Sequence, residues 1–146
     1  KTMQLMLKSD TQKSDTIRSA LLNLLSRRDY SKRELLLKIK AKGLSISIAE
    51  EVINTLAESG LQSDSRFAEC YVRYRSSKGY GPYRIFSELV QKGIEKEVIT
   101  DVLQKHKESF NESKECLIQK LSHLDKPMLK LKLYQRGYEI NSEGYE

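Results

Sequence analysis

The residues best equipped to do chemistry are cations beside turns. Arg27, Arg28, Lys32 and Arg33 surround Tyr30-Ser31, while Arg73, Arg75, Lys78 and Arg84 surround Gly79-Tyr80-Gly81-Pro82. Guanidinium and ammonium groups gathered this way suit an anion, either nucleic-acid phosphate or protein carboxylate. A plain solvated face is the alternative for such residues. Tyr30, Tyr80 and Tyr83 border the same turns, where a ring can stack on a base. Phe67, Tyr71 and Phe86 fall on apolar stripes and read as core.

Catalytic chemistry finds no foothold. His106 and His123 sit in polar helical stretches with no cysteine or carboxylate at metal-ligand spacing, and both read as lone surface histidines. No metal and no cofactor is implied, and the chain reads as a binding module, not an enzyme. The run Gly79-Tyr80-Gly81-Pro82 lacks the Lys-Ser or Lys-Thr of a phosphate loop, and its proline removes a backbone donor. Cys70 and Cys116 form neither a disulfide framework nor a metal spacing; Cys70 reads as a small packed residue, and this cysteine usage points to the cytosol.

The cations are positioned by a unit written three times. Tyr30 to Leu44, Tyr80 to Ile94 and Leu124 to Tyr138 each carry a glycine (Gly43, Gly93, Gly137), with an apolar residue eight positions before it (Leu35, Ile85, Leu129) and another four before it (Ile39, Leu89, Leu133). Repeats of this length are stacked helices, so the predicted fold is all-α: tandem three-helix repeats forming an elongated, curved array. The boundaries are an amino-terminal extension at 1–15, then repeats at 16–63, 64–110 and 111–146, the last incomplete or degenerate.

Within the first repeat, Ile17, Leu21, Leu24 and Leu25 mark a helix ending near Asp29-Tyr30. Ser31 and Glu34 form a capping box for a second helix that stops at Gly43, and Ser47 with Glu50 do the same for a third that stops at Gly60-Leu61. In the second, Asp64 caps a helix through Phe67, Ala68, Tyr71 and Val72. Pro82 opens the next, burying Ile85, Phe86, Leu89 and Val90, and Val98, Ile99, Val102 and Leu103 mark a sixth. The third offers Leu117, Leu121 and Leu124, then Leu129 and Leu133, with Glu139 to Glu146 too short and polar for a ninth helix. Gly43 and Gly93 are expected in left-handed conformation.

Composition fits such an array. The chain has 146 residues, 38% of them hydrophobic, with only two prolines and seven glycines, few for a sheet protein with many turns. Its net charge of +6 favours an anionic partner. That charge is uneven: residues 1–63 carry +4, 64–110 carry +2 and 111–146 are neutral. No apolar run approaches the roughly 20 residues of a membrane span. Lys1, not Met, opens the chain without a visible signal peptide, so the sequence is expected to begin inside its gene product.

Three ordered motifs carry a family resemblance. Arg27-Arg28-Asp29-Tyr30-Ser31-Lys32-Arg33-Glu34-Leu35, then Gly60-Leu61-Gln62-Ser63-Asp64-Ser65-Arg66-Phe67-Ala68, then Gly81-Pro82-Tyr83-Arg84-Ile85 with Glu88-Leu89 and Lys92-Gly93-Ile94, resemble signatures of the RecX family, regulators of the bacterial RecA recombinase. The likeness spans about residues 16–138. It implies a cytoplasmic monomer that lodges in the groove of the RecA filament on single-stranded DNA and restrains recombination, ATP hydrolysis and LexA cleavage. The expected contact residues are Arg27, Arg28, Lys32, Arg33, Arg73, Arg75, Lys78, Tyr80, Tyr83 and Arg84, aligned into one stripe. A basic helical array that grips DNA directly is the alternative.

Overall fold

Every element formed by the described residues is an α-helix. The computed structural model describes residues 2–140, with side chains from residue 10 onward. The helices are α1 (Thr2–Leu25), α2 (Lys32–Ala41), α3 (Ile46–Glu58), α4 (Asp64–Ser77), α5 (Pro82–Gln91), α6 (Lys96–Lys105), α7 (Lys107–Lys120) and α8 (Lys126–Arg136). Residues 141–146, part of the segment judged too polar for a further helix, lie outside the described residues. The chain divides into two compact units, Lys1–Phe67 and Ala68–Glu146.

The first unit closes around one apolar cluster. Ile17 and Leu21 of α1, Leu35 and Ile39 of α2, and Ala49, Val52, Ile53 and Leu56 of α3 are buried together with Tyr30. Each fully buried leucine or isoleucine contributes about 1.5–3 kcal/mol, so this cluster outweighs the weak intrinsic preferences of three short helices. The predicted capping box is present: Ser31 Oγ accepts from the Glu34 N–H, and the Glu34 carboxylate accepts from the Ser31 N–H. Gly43 and Gly93 take φ of 75° and 82°, the left-handed conformation predicted for both.

Local details depart from the sequence reading. Helix α1 ends at Leu25, short of Asp29-Tyr30, because the Arg27 N–H bonds to the Leu24 carbonyl and the Ser26 hydroxyl to that of Asn23, tightening the last turn. At its other end it begins at Thr2, taking in most of the segment set apart as an extension. Ser45, not Ser47, caps α3 by accepting from the Ile48 N–H. The burial of Ala49, Val52, Ile53 and Leu56 fixes the phase of this helix and turns Ser47 to solvent. Nor does Asp64 cap α4; Ser63 Oγ accepts from the Arg66 N–H. Asp64 accepts instead from the Lys32 N–H at 2.9 Å and from the Gln62 amide at 3.0 Å.

In the second unit Ala68, Val72, Ile85, Leu89, Ile94, Ile99, Val102, Phe110, Leu133 and Tyr138 are buried. Tyr71, Phe86, Leu117, Leu121, Leu124 and Leu129 are only half-buried, and Val90 is exposed. The third repeat thus contributes its core through Leu133 and Tyr138, with Phe110 just before its expected start. Cys70 is exposed, contrary to its reading as a packed residue, because it faces away from the Ala68 and Val72 stripe.

The start of α5 meets the end of α8 through two glycines. The Gly81 N–H donates to the Arg136 carbonyl at 2.7 Å and the Tyr83 N–H to the Gly137 carbonyl at 2.9 Å. A Cβ on Gly81 would lie 2.6 Å from the Gly137 oxygen, and one on Gly137 would lie 2.3 Å from Arg84 Cβ. Only backbone fits in this seam.

Candidate interaction surface

Around the first turn, burial and hydrogen bonding sort the cations into held and loose. The Arg28 guanidinium lies 3.6 Å over the Tyr30 ring and reaches Glu34 at 3.4 Å. Tyr30 is itself buried, so its ring is core and not a platform for a base. Lys32 is tied at both ends: its N–H to Asp64, its ammonium to Asn54 Oδ1. Buried Gln62 donates to the Tyr30 carbonyl at 3.3 Å, and Arg66 donates to Asp29 at 2.9 Å. Arg27 and Arg33 are exposed.

The second turn is built around Tyr80 and Glu88. Arg75 grips Glu88 with two bonds, Nε to Oε1 at 2.8 Å and Nη2 to Oε2 at 2.7 Å, while Tyr71 donates to Oε1 at 3.0 Å. Arg84 adds a longer contact from Nε to Oε2 at 3.3 Å and donates to the Gln135 carbonyl at 3.0 Å. Burial pushes the Glu88 carboxyl up, but the bonds from Arg75 and Tyr71 and the nearby positive charges outweigh it and hold the group below its ordinary value. The same pairing raises the Arg75 pKa. Three guanidinium groups ring Tyr80: Arg75 at 4.0 Å from the centroid, Arg84 at 4.3 Å and Arg136 at 5.7 Å. Such contacts are individually worth roughly 0.5–2 kcal/mol.

Of the other predicted residues, Tyr83 is exposed, and Lys78 is exposed with its ammonium 5.5 Å from the Tyr74 ring. Arg73 is exposed and contacts Glu69 at 3.3 Å, one helical turn back. His106, read as a lone surface histidine, is half-buried and bonds Glu69 at 2.8 Å. The His106 bond, against the opposing effect of burial, lowers the Glu69 pKa. No spacing rule pairs residues 37 positions apart, and comparably long separations in sequence hid the roles of Asp64, Gln62 and Arg136.

Among the described residues no helix is long and apolar enough to cross a membrane, and no group of three or more His, Cys, Asp or Glu could hold a metal. Two family models match the chain: the first three-helix domain of RecX over residues 18–56 and the second over residues 63–103. The chain belongs to the RecX family. The regulatory protein RecX of Pseudomonas putida is 38% identical over 96 residues, covering 66% of this chain and 62% of that protein. RecX of Halorhodospira halophila is 43% identical over 91 residues, covering 62% and 56%. The chain therefore spans about three fifths of the length of these curated relatives. The crystal structure of RecX from Lactobacillus salivarius superposes with a TM-score of 0.75 at 25% identity, covering 88% of this chain and 90% of that one. A second RecX crystal structure gives 0.78 at 23% identity, with 92% and 70% covered. The RecX fold of tandem three-helix domains thus positions the turns that carry the cations.

Proposed function

We propose that this chain binds the RecA filament on single-stranded DNA and acts in the cytoplasm as a mainly negative modulator. Its effect is to restrain recombination, ATP hydrolysis and LexA cleavage by binding, without chemistry of its own. The observation that supports this reading is family membership combined with the placement of exposed cations, Arg27 and Arg33 in the first repeat and Arg73 and Lys78 in the second, beside equivalent turns. The groove of such a filament offers phosphates and carboxylates, so a chain of net charge +6 is steered toward it.

The structure chooses the variants. Arg28, Lys32, Arg75 and Arg84 have partners within the fold, so reversing them disturbs the fold along with the surface. Arg27→Glu, Arg33→Glu and Lys78→Glu combined act on the surface alone. Wild type and triple variant are titrated against the RecA filament and against the same bare single strand, with ATP hydrolysis followed in parallel. The expected result is tighter wild-type binding to the filament than to bare DNA, and at least about a tenfold loss in the variant at unchanged melting temperature. Full inhibition by the folded triple variant refutes the proposal, while equal wild-type affinity for both ligands favours direct DNA binding.

A further inference from the structure

Arg136, in the third repeat, was not among the expected contact residues, yet it stands with the second-repeat cations. Its carbonyl accepts from the Gly81 N–H at 2.7 Å and its guanidinium lies 5.7 Å from the Tyr80 ring, with Nη1 3.2 Å from where a Cβ on Gly79 would be. The glycine seam leaves no slack in this placement, because the Arg84 backbone and the end of α8 are in contact. Three guanidinium groups, those of Arg75, Arg84 and Arg136, surround the Tyr80 ring, and the carboxylate beside them, Glu88, has both oxygens taken by the bidentate Arg75. Arg84 holds Glu88 only at 3.3 Å, and Arg136 is exposed and has no ion-pair partner among the described residues. Three guanidinium groups and one carboxylate leave the cluster around Tyr80 with a surplus of two positive charges. Like charges held this close are unfavourable until an anion joins them.

We infer that Arg136 and Arg84 form one phosphate-binding site across the second and third repeats, and that its ligand is the backbone of single-stranded nucleic acid. Planar guanidinium groups match two phosphate oxygens at once, and Tyr83, the exposed residue just before Arg84, offers an adjacent nucleotide a surface to stack on. Arg75 keeps Glu88, and Arg84, which gives Nη1 to the Gln135 carbonyl and Nε to Glu88, still has guanidinium donors to offer the ligand beside Arg136. The inference deepens the reading given above and rests on it for the strand's context inside a filament.

Arg136→Gln, Arg136→Lys and, as a control on the same helix, Lys130→Gln are compared with wild type. Binding to a fluorescent oligo-dT strand and to the RecA filament on that strand is measured across salt concentrations. Arg136→Gln is expected to weaken binding roughly three- to tenfold and to lower the salt slope by about 0.7, with Arg136→Lys restoring the slope and Lys130→Gln changing neither. An unchanged slope in Arg136→Gln overturns the inference, as does a loss confined to the filament, which would assign Arg136 to a protein carboxylate. Wild type that binds oligo-dT but not the filament sinks the function proposed above and leaves the Arg136 comparison readable on the bare strand. Wild type that binds neither overturns both.

Discussion

Three glycines separate backbone strain from steric exclusion in one experiment. Gly43 has φ of 75° and nothing within 4 Å of a built Cβ, so Gly43→Ala is charged only the left-handed conformation, about 1 kcal/mol. Gly81 carries no such strain, but its Cβ would stand 2.6 Å from the Gly137 carbonyl oxygen. Relief requires the end of α8 to retreat by most of an ångström, which breaks the bonds at 2.7 and 2.9 Å across the seam. At about 1 kcal/mol each, with some loss of packing at buried Tyr138, Gly81→Ala costs roughly 2–3 kcal/mol. Gly137→Ala combines both penalties, φ of 91° and a 2.3 Å approach to Arg84 Cβ, for about 3–4 kcal/mol. For a unit of this size about 2 kcal/mol corresponds to roughly 8–16 °C in melting temperature. Circular dichroism melts give the order and amide exchange locates it: α8 amides should exchange faster in the Gly81 and Gly137 variants and not in the Gly43 variant. If Gly81→Ala is as mild as Gly43→Ala, or α8 exchange does not change, the seam is not what holds the third repeat.

Other perturbations act nearer one residue. Ser31→Ala removes a fully buried cap and should cost about 1 kcal/mol in urea unfolding, with Glu34→Gln milder because it keeps a side chain able to accept from the Ser31 amide. Because the folded pKa of Glu88 is depressed, its stabilisation is complete above the ordinary carboxylate value of 4.5 and is lost as pH falls through the folded value. The stability gap between wild type and Glu88→Gln should therefore be widest near neutral pH and narrow on acidification; a gap independent of pH would show that the Arg75 pairing contributes nothing.

What the sequence made legible was local. Ser31 and Glu34 are three residues apart, and the interaction that they signal is completed within one turn, as are the helix stops at Gly43 and Gly93. Ser45 and Ser47 are equally good caps on paper; only the burial of Ala49 and Val52 decides between them, and burial depends on two other helices. Asp64 looked like a cap because aspartate before an apolar run usually is one, yet its carboxylate serves an amide 32 positions earlier. Gly81 read as part of a turn before Pro82, while its tightest constraint comes from Gly137. In the candidate surface, the cluster of cations was visible by composition, but which of them are occupied was not. Arg75 and Arg27 are indistinguishable as letters, and only the geometry shows one gripping Glu88 and the other exposed.

His106 ends α6 and begins α7 in the same residue, with no connecting segment between Lys105 and Lys107. The junction of α6 and α7 is thus a phase relation instead of a tether. One residue inserted at that point would turn α7 by about 100° relative to α6, carrying Phe110 out of the core and swinging everything after it. A flexible loop would absorb such a change, whereas this junction transmits it. An insertion is therefore expected to be tolerated better in the turns within repeats than at this junction, and a protease that needs several extended residues has no place to separate α6 from α7.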